Sequence, residues 1–291
     1  MATPAIGQAL VFVALIGGEF AEADAQRRRL RRELEVRKLA AAKAEGELEA
    51  GRRIQMGILP SAESVADDHR FDLDARMIPA RQIGGDLYDF FKIDADRLFI
   101  AVGDVSGKGV PAALFMALGK SLCKSCALRG ESDIGSIINR TNAEISRDNP
   151  EMLFITLFAG ILNVATGELQ FCNAGHDAPL LLRHGRPPAA IESVGGPPLC
   201  VMDEFLYQTE ICQLRPDDML CLTTDGVSEA MTGAGVLLGH ERLEALLTGL
   251  PADANAALAT QRLQSGVSAF VDGAEASDDL TILTVRWHGP T

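Results

Sequence analysis

Two kinds of hydrophobic pattern divide the chain near residue 58. Residues 22–57 contain no proline, alternate charges of both signs, and place Leu30, Leu34, Ala41, Ala44 and Leu48 at alternating spacings of four and three. Arg37 occupies one position of that seam. The spacing predicts a helix of about ten turns with a weak coiled-coil seam, ended by Pro60. Such a helix suits a signalling linker that makes a homodimer. Ahead of it, residues 5–18 are largely apolar and carry no charge. Fourteen helical residues rise roughly 21 Å, against about 30 Å for a bilayer core, which is short for an ordinary span.

Beyond Phe71 the period changes. Short apolar runs rich in β-branched and aromatic residues predict strands at Leu98–Val102, Phe154–Leu162, Leu169–Ala174, Met219–Thr223 and Leu280–Val285. Several are apolar at every position, so both faces should be covered. Helical patterning predicts covering helices at Pro111–Arg129, Asp133–Arg147, His240–Thr248 and Ala252–Phe270. Asn163–Glu168 reads as a hairpin turn, so neighbouring strands run antiparallel and the class is α+β in layers. The expected division is a short apolar segment (1–20), a linker helix (21–58) and one domain over 59–291.

Charge sharpens this division. Residues 1–57 hold 10 Lys/Arg and 8 Asp/Glu, net +2, leaving 17 and 32, net −15, for the remainder of a chain whose total is −13. An acidic body is a poor match to sequence-independent nucleic-acid binding, so no nucleic-acid partner is expected. Five of the six residues Arg27–Arg32 are arginine. If residues 5–18 met a membrane, that cluster would hold everything downstream on the cytoplasmic side. No Lys or Arg precedes the apolar stretch, so it lacks the basic start of a signal peptide. Six cysteines without a framework spacing suggest a reducing compartment. The expected location is therefore cytoplasmic, with attachment to the inner membrane face through the N-terminus left open.

Four aspartates sit in tight-turn sequences at predicted strand ends: Asp86 in Gly84-Gly85-Asp86, Asp104 in Gly103-Asp104-Val105-Ser106-Gly107, Asp225 in Thr224-Asp225-Gly226, and Asp278 in Ser277-Asp278-Asp279. A single Asp-Gly is usually just a turn. Four carboxylates crowded at one sheet edge repel one another unless cations neutralise them. Oxygen-only donors favour Mg²⁺ or Mn²⁺ over zinc, and two such ions can clamp a phosphoryl group.

The ordered set GGDLYDFF, GDVSGKGVPAAL, FITLFAGIL, NAGHDAP, TTDGVSEA and DDLTIL resembles the SpoIIE-type branch of the metal-dependent protein phosphatases, the phosphatase 2C superfamily, over about residues 50–287. The preceding Ile54-Gln55 and Ile58-Leu59-Pro60 are similar to the linker of RsbU-like regulators. The resemblance implies an α/β/β/α sandwich of two antiparallel sheets flanked by helices. It implies Ser/Thr protein phosphatase activity with two divalent cations, Mn²⁺ or Mg²⁺, whose bridging hydroxide attacks phosphorus. Asp86, Asp104, Asp225 and Asp278 match the metal carboxylates, and Val105 the backbone-carbonyl ligand. Asp279 is the weaker candidate of its pair, and Asp89 is open. The implied substrate is a phosphorylated anti-sigma-factor antagonist. Arg81, five residues before Asp86, could reach a phosphate, and His176 in the NAGH motif is either a substrate contact or a structural hydrogen-bonding group.

Two other readings compete. Cys123 to Arg129 matches the Cys-x₅-Arg loop of cysteine phosphatases, yet it continues a predicted helix with no glycine, which cannot form the required cradle. A phosphoprotein-binding scaffold with little catalysis is the non-enzymatic alternative. Retention of all four aspartates argues against it.

Overall fold

The computed structural model describes residues 4–130 and 133–290, with side chains from Gln26 onward. It contains a single long helix, α1 (Pro4–Ile58), continuous through residue 20, and a folded body. By internal contacts the chain separates into Met1–Gly51 and Arg52–Thr291. The described part of the first unit is helix, and Leu30, Leu34, Val36 and Leu39 are exposed along it.

The body holds two five-stranded antiparallel sheets. One is built from β1 (Phe71–Ile78), β6 (Leu180–Leu182), β7 (Ala189–Ala190), β9 (Met219–Thr223) and β10 (Leu280–Trp287), in the order β1-β10-β9-β6-β7. The other holds β2 (Leu87–Lys92), β3 (Arg97–Val105), β4 (Ile155–Asn163), β5 (Glu168–Ala174) and β8 (Glu210–Gln213), in the order β2-β3-β4-β5-β8. Helices α2 (Val110–Leu128) and α3 (Ile134–Ser146) cover the second sheet. The short α4 (Asp225–Ser228) follows β9, and α5 (Gly239–Leu247) and α6 (Ala256–Val271) cover the first sheet.

Strand alternation explains these layers. In β3, Leu98, Ile100 and Val102 enter the core between the sheets, while Phe99 and Ala101 face α2 and α3. In β10, Leu283 and Val285 face the second sheet and Ile282 faces α6. Each fully buried Leu, Ile or Phe stabilises by roughly 1.5–3 kcal/mol relative to exposure. The continuous apolar runs are therefore strands buried on both faces, and the expected α/β/β/α sandwich is what forms.

Local signals fix the joints. Asn163 Oδ1 accepts from the amides of Ala165 and Thr166 to close the β4–β5 turn. Gly167 closes it with φ +76°, against the Trp287 ring. Asp133 and Asn255 cap α3 and α6, accepting from Ser136 N and Leu258 N. Pro111 lies in the first turn of α2. Every strand and helix expected in the body is present, with ends shifted by up to four residues. The largest shift is in α6, which starts only after its Asn255 cap.

Candidate metal centre

Each of the four aspartates is delivered by a strand end. Asp86 immediately precedes β2, Asp104 is the penultimate residue of β3, Asp225 lies two positions after the end of β9, and Asp278 lies two positions before the start of β10. The β2–β3 register pairs Leu87 with Gly103, which sets Asp86 beside Asp104. The β9–β10 register pairs Thr223 with Ile282, which brings Asp225 toward Asp278. The two sheets thus present two carboxylates each at one end of the sandwich.

The electrostatics show how closely they meet. Asp86 is almost wholly buried. Burial first, and then the charge of Asp104, hold its carboxyl well above the usual carboxylate range. Burial and the charges of Asp225 and Asp278 push Asp104 up to about 7, although its hydrogen bond with Asp86 opposes this. Asp225 is raised by burial and by Glu229, Asp278 and Asp177. Such clustering of raised carboxylates is the electrostatic signature of a cation site.

Backbone and hydroxyl groups complete the arrangement. A Cβ at Gly85 would stand 2.9 Å from the Val105 carbonyl oxygen and 3.3 Å from Asp104 Oδ1. Both oxygens therefore face a notch that only glycine leaves open. Thr224 donates to Asp86 Oδ2 at 2.7 Å and accepts from Thr281 N at 3.1 Å, fixing the Asp86 rotamer. Among the described residues, no three carboxylate, thiol or imidazole side chains converge to hold one ion by themselves. This donor set still fits Mg²⁺ or Mn²⁺, which are commonly held by one or two carboxylates while the remaining positions go to carbonyl oxygen and water.

The remaining candidates separate clearly. Asp279 is buried, and its two oxygens accept from Ala80 N and Gly85 N at 2.8 Å each. It braces the loop that carries Asp86. Asp89 lies inside β2, 3.0 Å from Lys120 on α2 in a buried ion pair. Arg81 is exposed and lines a small cleft with Gly85, Lys108, Asp278 and Asp279. His176 is buried, its Nδ1 3.1 Å from Thr156 Oγ1, and Asn173 brackets its backbone with two hydrogen bonds. Burial pushes it down to about 4, which favours the neutral imidazole. Cys123 is buried in mid-α2, its thiol pushed up to about 12 by burial, while Arg129 only caps that helix, which excludes the Cys-x₅-Arg chemistry.

Sequence reasoning missed Thr224, Lys108, Gln55, Asp177 and Glu229. Thr224 and Lys108 stand inside motifs already singled out, but nothing in the spacing marks a hydroxyl that orients Asp86 or an amine that meets Asp278. Gln55, near the end of α1, donates from Nε2 to Gly84 O at 2.7 Å and accepts from Gly84 N at 3.2 Å. The last turn of the helix is thereby bonded to the residue two before Asp86.

Comparison with known proteins agrees with this geometry. The chain is 30% identical to protein IcfG of Synechocystis over 82% of its own length and 41% of that protein. It is 28% identical to the phosphoserine phosphatase RsbU of Bacillus subtilis over 66% of its length and 56% of that protein. The chain thus spans about half the length of these curated relatives. The solved SiaA-PP2C domain of Pseudomonas aeruginosa shares the fold, with a TM-score of 0.74 at 22% identity over 85% of this chain and 98% of that one. The family profile described as Stage II sporulation protein E (SpoIIE) matches residues 94–288, more than half of the 291 residues. On that match the chain belongs to the SpoIIE family.

Proposed function

We propose that this chain is a divalent-metal-dependent protein phosphatase that hydrolyses phosphoserine or phosphothreonine on a signalling protein of the anti-sigma-factor-antagonist type. The observation that carries this is the convergence of Asp86 and Asp104, hydrogen-bonded to each other, with the charge of Asp104 raising Asp86 and the charges of Asp225 and Asp278 raising Asp104, beside the Val105 carbonyl. The phosphoserine phosphatase RsbU among the relatives supports the same reaction.

Asp86, Asp104, Asp225, Asp278 and the Val105 carbonyl would hold two Mn²⁺ or Mg²⁺ ions. When bound, these supply Lewis-acid charge and make water nucleophilic near neutral pH. The chain's own residues then have defined tasks. Thr224 holds Asp86 in one rotamer, and Asp279 ties the Ala80–Gly85 backbone so that Asp86 keeps its place. The notch at Gly85 keeps side-chain atoms out of the approach to the Val105 oxygen. Arg81, exposed on the cleft wall, meets the phosphoryl charge. No side-chain nucleophile is required, in keeping with the inert Cys123.

The test is phosphate release from a phosphoserine-bearing single-domain signalling protein by the full chain, with Mn²⁺ and with a chelator. Turnover that stops with chelator supports the proposal. Tight binding of the phosphoprotein without turnover would establish the scaffold instead.

The finer assignments join this proposal. Exposed Leu30 and Leu34 on α1 offer a dimer seam, so Leu30→Glu with Leu34→Glu should halve the mass in solution. No described helix is long and apolar enough to cross a membrane. Attachment of the N-terminus to the inner face would instead show as sedimentation with anionic vesicles that salt reverses.

A further inference from the structure

The cleft lined by Asp278 carries a cation that the sequence motifs do not assign. Lys108 lies between Gly107 (φ +88°) and Gly109 (φ +79°), in the loop joining Asp104 to α2. Both glycines have positive φ, which lets this short loop turn tightly. Lys108 Nζ stands 2.7 Å from Asp278 Oδ2 and 2.9 Å from the Ser277 carbonyl oxygen. The other oxygen of Asp278 accepts from Asp279 N at 2.9 Å, so the carboxylate is held between the loop and β10. Lys108 is about half exposed, and with Arg81, Gly85 and Asp278 it lines the cleft.

We propose that Lys108 is a substrate-binding residue that donates to a phosphoryl oxygen of the substrate and of the phosphate product. This rests on the reading of Asp278 as a metal ligand. A phosphoryl oxygen bound at such an ion lies within a few Å of the carboxylate that holds the ion, and Nζ already touches that carboxylate. An ammonium brings three donors on a flexible stem and acts as a compact point charge for phosphate. Its two bonds to Ser277 O and Asp278 leave one donor free to meet a ligand. The other charged groups on the cleft, apart from Arg81, are the carboxylates of Asp278 and Asp279, and the charge of Asp278 also raises Asp104 and Asp225. Cationic groups on the rim are therefore needed if a dianionic phosphate is to be held in one orientation, and Lys108 and Arg81 line the same cleft.

The experiment compares the full chain with Lys108→Met and Lys108→Arg. Inorganic phosphate binding to the Mn²⁺-loaded proteins and Mn²⁺ binding alone are both measured by calorimetry, with KM and kcat for an aryl phosphate. Loss of one charge-assisted hydrogen bond predicts roughly 10- to 100-fold weaker phosphate binding in Lys108→Met and a KM raised on the same scale. Mn²⁺ affinity should not fall, and Lys108→Arg should recover most of the phosphate binding. Unchanged phosphate affinity in Lys108→Met would make Lys108 a surface charge and overturn the proposal. Loss of Mn²⁺ binding in that variant would also overturn it, by making Lys108 a builder of the metal centre. If the unmodified chain bound no Mn²⁺, the metal-centre reading itself would fail and the role of Lys108 with it.

Discussion

Lys120→Met is the substitution whose cost follows most directly from the structure. Lys120 on α2 and Asp89 in β2 form an ion pair at 3.0 Å with side-chain exposures of only 7% and 3%. Around them stand Leu87, Phe99, Ala101, Ile155, Leu157 and Leu199. Burial raises Asp89 above the ordinary 3.8 even with Lys120 and, farther off, Lys124 opposing it. Removing the amine leaves a buried carboxylate whose partner is gone, a change that costs about 3–5 kcal/mol. Protonation sets a ceiling. Neutralising a carboxyl of ordinary pKa 3.8 costs about 4.4 kcal/mol at pH 7 and about 1.6 kcal/mol at pH 5, at 1.36 kcal/mol per unit. The sign follows from linkage: the folded variant keeps a proton that the unfolded chain releases above pH 3.8, so its stability falls as pH rises. Urea unfolding should show a deficit of about 3–4 kcal/mol at pH 7 that shrinks to about 1.5 kcal/mol at pH 5. The double variant Asp89→Leu/Lys120→Met should return close to the parent. A deficit below about 1 kcal/mol at pH 7, or one independent of pH, would refute the buried-pair reasoning.

Three further outcomes are expected. Asp104, pushed up to about 7, lowers metal-free stability as pH rises from 3.8 toward 7, while neutral His176, pushed down to about 4, raises it between 4 and 6.5. Asp86 and Asp225 are raised as well and add to the Asp104 slope, so the metal-free Tm should fall as pH rises through about 7, most clearly above pH 6.5 where His176 no longer opposes it, and Mn²⁺ should remove that fall; a metal-free Tm that climbs between about pH 6.5 and 7.5 contradicts the assignment. Gly84→Ala would place a Cβ 2.0 Å from Asp279 Oδ2 and break its bonds to Ala80 N and Gly85 N, so a Tm lowered by several degrees and depressed phosphate release are expected together. Gln55→Ala removes both amide bonds to Gly84, and limited proteolysis around residues 51–57 should accelerate; an unchanged cleavage rate would show that these bonds do not hold the end of α1.

The parts of this molecule that could be read from sequence are those governed by local periodicity and turn chemistry. The apolar runs of β3, β4 and β9 announce strands buried on both faces because each strand packs against a sheet on one side and helices on the other. The four aspartates were legible because each follows or precedes such a run at a glycine-rich or Asp-Asp turn. Edge strands were not. β7 and β8 are short and largely exposed, so they carry no apolar signature, and β1 is only part-buried along most of its length. The motif Gly84–Asp89 looked like one turn, yet its last three residues are strand, and Asp89 pairs with Lys120 on α2. Partners set by tertiary distance were equally invisible. Thr224 reaches Asp86 across 138 positions and Lys108 reaches Asp278 across 170. His176 invited a functional reading from its motif, but only the structure shows it enclosed against Thr156.

The central claim is that four strand-end aspartates, and no cysteine, make this chain a metal-dependent phosphatase. Its most direct test is hydrolysis of an aryl phosphate by the full chain under Mn²⁺ titration, alongside Asp104→Asn and Cys123→Ser. The account predicts activity that requires Mn²⁺, falls to background in Asp104→Asn, and persists in Cys123→Ser. Hydrolysis that survives Asp104→Asn, or that needs Cys123 and no metal, would contradict it.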